Sequence, residues 1–169
     1  YLNAAEIIKH TYKGWNAKDR KAFEDMVINI WYPVIKDWTP RYNGNWDAAN
    51  GQTLMCIGIF LDRRDIFDTA CKQLTDGNTN GAIKNYFYES GQCQESGRDQ
   101  QHVQMGLAFL ACAAEIAWNQ DIDLYGAFDN RLYKGFEYTA RYMSGEEVPH
   151  VQYITWFGKP VYGPEISSK

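Results

Sequence analysis

Gly91-Gln92-Cys93-Gln94-Glu95-Ser96-Gly97-Arg98-Asp99-Gln100-Gln101-His102 runs straight into the apolar stretch Val103 to Trp118. Apart from its two glycines, every residue of the first segment carries a polar, ionisable or thiol side chain. The second segment reads as a buried helix. A polar cluster leading into a buried helix is costly unless its side chains find partners. A ligand cleft at the helix N-terminus is one solution, because free N–H groups and the helix dipole favour bound anions there. The arrangement points to an acidic ligand.

Outward from this segment the pattern stays helical. Leu2 to Tyr12 has apolar residues at Leu2, Ala5, Ile8 and Tyr12, and Gly14 follows. A second helix is expected from Asn16 or Lys18 to Ile35, with Phe23, Met26, Val27, Ile30, Trp31 and Val34 on one face and a kink or stop at Pro33. Thr39 to Asn45 reads as a loop. Asn45 or Asp47 is expected to cap the next helix, which runs to about Leu61. Asp65 to Leu74 is a shorter amphipathic helix, Asp76 to Gly81 a turn, and Ala82 to Ser90 an extended segment. After a turn at Asp121 to Gly126, Phe128 to Tyr142 reads as a helix with Leu132, Phe136 and Ala140 on its buried stripe. The Gly- and Pro-rich remainder from Ser144 is irregular or forms short strands. The pattern is all-α, without βαβ alternation, nucleotide-binding loops or a strict repeat. Paired helices wound into an α/α toroid fit it, with a plain bundle as the alternative.

The 169 residues suit one domain, here taken as 1–169. A net charge of −4 excludes non-specific nucleic-acid binding, which needs a basic surface. No run of about 18 apolar residues suggests a membrane span, so no membrane partner is expected. The 6 Trp and 12 Tyr suit either a sugar cleft or packing between helices. Of the four cysteines, Cys56 and Cys112 lie in apolar helical runs and are expected to be buried thiols. An even count permits disulfides, and no pair has zinc or redox spacing. His10, His102 and His150 also lack zinc-site spacing, so no metal is expected.

Three clusters carry candidate chemistry. With a helix start near Gly97, Arg98 and His102 share one face; Arg98 can grip a carboxylate and His102 can transfer a proton. Glu95 and Asp99 can orient them, or the group can be an ion-paired helix cap with a packed histidine. In Asn43-Gly44-Asn45-Trp46-Asp47, Asn45 can donate to an anionic oxygen and Trp46 can stack on a sugar, or both can be cap and core. In the third, Asn130 and Arg131 can bind a second acidic group, and Tyr138 or Tyr142 can serve as a phenolic acid or base.

Taken together, Gly44-Asn45-Trp46-Asp47-Ala48, the Gln92 to His102 block, Asp129-Asn130-Arg131-Leu132 and Gly135-Phe136-Glu137-Tyr138-Thr139-Ala140 resemble the alginate-lyase superfamily. The likeness is nearest to the alginate and glucuronan lyases of polysaccharide lyase family 38, and the Gln-Glu-Ser-Gly-Arg-Asp block is its most specific part. The resemblance implies an α/α toroid, truncated at both ends in this chain, that cleaves a uronate polymer by β-elimination. It implies an anionic polysaccharide substrate, no cofactor, and a secreted or periplasmic location. It makes Asn45 and Arg98 neutralisers of the substrate carboxylate and His102 the base or a carboxylate contact. Tyr138, Tyr142 or a tyrosine outside the chain becomes the proton donor. Gln94 and Glu95 position the sugar or the histidine, and Trp46 lines a subsite. Two rivals remain at this stage. One is a non-catalytic carbohydrate-binding toroid. The other is a glycoside hydrolase pairing Glu95 with Asp99 or Asp129.

Overall fold

A computed structural model describes residues 1–37 and 42–167. It is all-α apart from one two-stranded hairpin near the C-terminus. Helix α1 spans Leu2–Thr11. Helix α2, Ala17–Met26, starts at Asn16, whose side chain accepts the Asp19 N–H at 2.9 Å. It continues through a wide π-helical stretch, Val27–Trp31, into α3, Tyr32–Ile35. Pro33 neither ends nor breaks this rod. Proline removes a backbone donor, and the wider turn ahead of it, closed by Tyr32 N–H to Val27 C=O, re-spaces the ladder around the loss. Part of the expected Thr39 to Asn45 loop, Thr39 to Arg41, lies outside the described residues.

The core is built on α4, Gly44–Phe60. Its Ala48, Leu54, Met55, Ile57 and Phe60 are buried, and α5, Arg64–Asp76, and α7, Gln100–Trp118, both pack against it. A helix apolar on nearly every side must lie inside. Helix α5 buries one stripe, Ile66, Phe67, Ala70, Cys71 and Leu74. Small residues set the close approaches. A Cβ on Gly58 would lie 2.7 Å from the Phe67 nitrogen. A Cβ on Gly106 of α7 would lie 1.8 Å from the Tyr86 hydroxyl.

Several expectations change. Neither Asn45 nor Asp47 caps α4; Asn43 holds that position, and both lie buried in the first turn. The segment expected to be extended after Ala82 opens with a helical turn, α6, Ile83–Tyr86. Only Phe87 beyond it is extended, bridging Cys93. Helix α8, Ala127–Met143, begins with Phe128, Asp129 and Asn130 at positive φ, so regular right-handed helix starts at Arg131. It buries Leu132, Gly135, Tyr138 and Thr139, while Phe136 and Ala140 face out. Ile8, Tyr12, Ile30 and Val34 are exposed rather than core. The four cysteines are free, and Cys112 is exposed because it sits on the outer side of α7.

The C-terminal segment is strapped across the helices. Its strands β1, Tyr153–Ile154, and β2, Pro160–Val161, pair antiparallel with Tyr153 opposite Val161. The buried Gln92 amide makes both bonds to Val151: it donates to the carbonyl at 2.6 Å and accepts the N–H at 3.0 Å. Tyr88 accepts the Ile154 N–H at 2.7 Å and stacks on Tyr153.

Candidate active site

The polar segment folds as a short 3₁₀ turn, Gln94–Gly97, followed by the N-cap of α7. Helix α7 starts at Gln100, later than the sequence suggests, so Arg98 precedes the helix and is not one helical turn below His102 on a shared face. Asp99 is the cap. Its Oδ1 accepts the His102 N–H at 2.8 Å, and both carboxylate oxygens lie 2.7–2.8 Å from the ring Nδ1. Burial acts against the Asp99 charge, but the His102 N–H, the imidazole and Arg98 outweigh it and hold this carboxyl below its ordinary range. An ionised acceptor at this distance assigns the Nδ1 proton to the imidazole. In the neutral ring the lone pair then falls on Nε2, which no protein group among the described residues bonds.

Beside this dyad, Glu95 is fully buried and Arg98 lies 3.4 Å from its Oε2. Burial pushes the Glu95 carboxyl up, opposed by Tyr162, Arg98 and His102. The guanidinium also approaches Asp99 at 3.7 Å and stands over the Tyr162 ring, 5.9 Å from its centroid. The Tyr162 hydroxyl is close enough to Glu95 to affect its charge, though without a well-formed hydrogen bond. Burial and the neighbouring carboxyl both raise the Tyr162 phenol, so it stays protonated.

The third side comes from α4. The Gly44 N–H donates to Gln94 Oε1, which locks the α4 N-terminus to the 3₁₀ turn. Gln94 Nε2 and Asn45 Oδ1 are buried without partners. Unsatisfied buried amides are uncommon and mark places where a ligand can bond. Trp46, one residue on, is exposed against Tyr42.

Of the sequence-nominated residues, Asn45, Gln94, Glu95, Arg98 and His102 thus lie on three segments tied together by hydrogen bonds and ion pairs. The α8 candidates sit elsewhere. Arg131 donates to the Phe87 carbonyl at 2.8 Å and lies 3.8 Å from Glu89. Asn130 is exposed in the left-handed start of α8. Tyr138 donates its hydroxyl to the Pro149 carbonyl at 2.9 Å, and burial raises its phenol to about 12. Tyr142 is half-buried beside it. Tyr162 escaped the sequence reading: it lies in a Gly/Pro-rich tail with no periodicity, and only the hairpin brings it to Arg98.

Surface cavities of about 260 and 550 Å³ lie elsewhere, beside Tyr1, Trp31 and Cys56 and along α5 from Thr69 to Thr79. Neither is lined by the cluster. Among the described residues no group of His, Cys, Asp and Glu could hold a metal ion, and no helix is long and apolar enough to cross a membrane. No curated protein and no solved structure gives a significant match. Residues 1–149, which carry α1 to α8 and the whole Gln92 to His102 block, match the family model described as alginate lyase. The chain therefore belongs to the alginate lyase family and is a polysaccharide lyase.

Proposed function

We propose that this protein cleaves a 1,4-linked uronate polymer, alginate or glucuronan, by β-elimination at the cluster of Asn45, Arg98, His102 and Tyr162. The carrying observation is the Asp99-held imidazole, which offers Nε2 beside an arginine only partly neutralised by Glu95. The C5–H of a uronate is weakly acidic until the adjacent carboxylate charge is offset. Arg98 stabilises the enolate that develops as the proton leaves, and Asn45 adds to this only through its Nδ2 donors, since its unpartnered atom, Oδ1, is an acceptor. His102 Nε2 takes the C5 proton, the electron pair forms the C4–C5 double bond, and the C4–O bond breaks. The departing oxygen takes a proton from a phenol. Tyr162 suits that part better than Tyr138 or Tyr142, because it stands against Arg98 while Tyr138 is committed to Pro149. Gln94 and Glu95 hold Asn45 and Arg98 in place, and Trp46 offers a sugar ring a flat apolar face. A secreted or periplasmic site of action is what the family resemblance implies. An α/α toroid is the architecture this reading favours.

The test is ultraviolet absorbance of the 4,5-unsaturated product from alginate, polymannuronate, polyguluronate and glucuronan. A rise on one polymer, reduced about 10²–10⁴-fold in His102→Ala, is expected. New reducing ends without absorbance would instead make the site a hydrolase, and binding without either product would make it a carbohydrate-binding domain.

A further inference from the structure

The proposed elimination engages only the sugars on either side of the broken bond, yet the hairpin that delivers Tyr162 reaches further. Its turn, between β1 and β2, carries Trp156 and Phe157, whose rings meet edge to face at 6.1 Å. Trp156 is 38% exposed. The turn is stiff: Thr155 N–H donates to the Lys159 carbonyl at 2.8 Å, Thr155 Oγ1 accepts the Lys159 N–H at 3.0 Å, and Gly158 takes φ +81°.

The buried Asn80 side chain ties this turn to the segment that opens α4. Asn80 accepts the Trp156 N–H at 3.3 Å and donates to the Tyr42 carbonyl at 2.7 Å. Tyr42 and Trp46 lie ring against ring at 6.3 Å and are 50% and 63% exposed. The main chains of Tyr42 and Trp156, far apart in sequence, thus share one carboxamide, and the rings of Tyr42, Trp46 and Trp156 are each at least partly exposed. Exposing large apolar rings costs free energy that burial would recover. Rigid aromatic faces joined to a polar cluster fit a ligand with broad C–H faces and charged edges, which a pyranose uronate has.

From Trp156 the chain passes through β2 to Tyr162 at the Arg98 cluster. Only the stretch through β2 is extended, because Trp156 to Gly158 form the turn, so the turn stands up to roughly 10 Å from Tyr162, about two pyranose rings. We propose that Tyr42, Trp46 and Trp156 form a distal subsite that stacks on sugars remote from the broken bond, so that the enzyme selects long uronate chains over short oligosaccharides. This rests on the polysaccharide substrate of the preceding section.

Calorimetric binding in a His102→Ala background separates affinity from turnover. The probes are alginate and glucuronan, each as polymer and as trisaccharide. Trp156→Ala is expected to weaken polymer binding about tenfold, the scale of one aromatic stack, and trisaccharide binding much less. Trp156→Phe should retain most of the polymer affinity. Trp118→Ala, which removes an exposed ring at the far end of α7, should leave it unchanged. Equal loss on polymer and trisaccharide, no loss on either, or a His102→Ala parent that binds neither polymer would overturn the subsite. Because no turnover is involved, an absent unsaturated product in the wild type would overturn the lyase assignment of the cluster and leave this result standing.

Discussion

Asp47 shows how a single side chain at the α4 N-terminus couples protonation to stability. It is fully buried, its Oδ2 accepts the Gly81 N–H at 3.2 Å, and its other oxygen has no partner. Burial pushes its pKa up to about 7, against the pull of the Gly81 and Asn80 N–H groups. A carboxyl with a raised folded-state pKa binds its proton more tightly in the native protein than in the unfolded chain. Its contribution is complete below the unfolded value near 4 and is lost as pH rises through about 7. Asp47→Asn keeps an acceptor for Gly81 and removes the titration. The variant should show a flatter melting temperature between about pH 4 and 7 and gain on wild type above that range. Parallel pH profiles of the two proteins would refute this. Sequence alone made Asp47 an ordinary cap, because a capping aspartate and a buried one look identical until the Asn80–Gly81 turn is folded over it. His102 was easier to nominate, since a histidine among Glu, Arg and Asp is unusual in any fold. Glu95 and Asp99 were both candidates to orient it, and that Asp99 does so followed only once Asp99 became the helix cap.

At the scale of elements, α4 and α7 were legible because their apolar content exceeds what one buried face requires. Their boundaries were less so. Helix α7 starts at Gln100 because Asp99 accepts the His102 N–H, a choice several polar residues in that block could have made. Helix α8 was found but rotated: Leu132, Phe136 and Ala140 suggested one stripe, yet α8 packs through Gly135 against the Phe87 ring. A pattern of apolar residues gives a period, and a glycine that admits a ring can decide which face goes inward. The Gly106 contact gives an element-scale test. Gly106→Ala should improve helix propensity but force the buried Tyr86 ring aside, an overpacking cost of about 1–3 kcal/mol. The net expectation is a melting temperature several degrees lower, and an unchanged or higher value would show that Tyr86 moves freely.

For the whole molecule, the tail ties a strap across the helical scaffold and brings Tyr162 to Arg98. Residues 1–149 carry the family match, but Trp156 and Tyr162 come from the strap beyond it. The strap is held by Tyr138 to Pro149, Gln92 to Val151, Tyr88 to Ile154, and Ser96 and Gln100 to Ser167. Gln92→Ala removes both Val151 bonds, each worth about 1 kcal/mol or more when buried groups are left unsatisfied. Proteolysis within 150–167 should quicken and lyase activity fall, while amide exchange in α4 and α7 stays slow. Unchanged protection of the tail would mean that the other ties suffice. By itself the sequence determined the all-α class and the positions of most helices, pointed to an anionic ligand, and nominated the Asn45, Gln94, Glu95, Arg98 and His102 set. Each of these follows from local composition or from a contiguous motif. Only the tertiary structure decided that Asn130 and Arg131 stand apart from that set, that Tyr162 joins it, and that Trp156 meets Tyr42 at Asn80. Those rest on contacts between segments more than thirty residues apart: Arg131 on Phe87 and the Asn80 links use main-chain atoms that every residue type carries, Tyr162 meets Arg98 through its ring, and no sequence pattern records either kind.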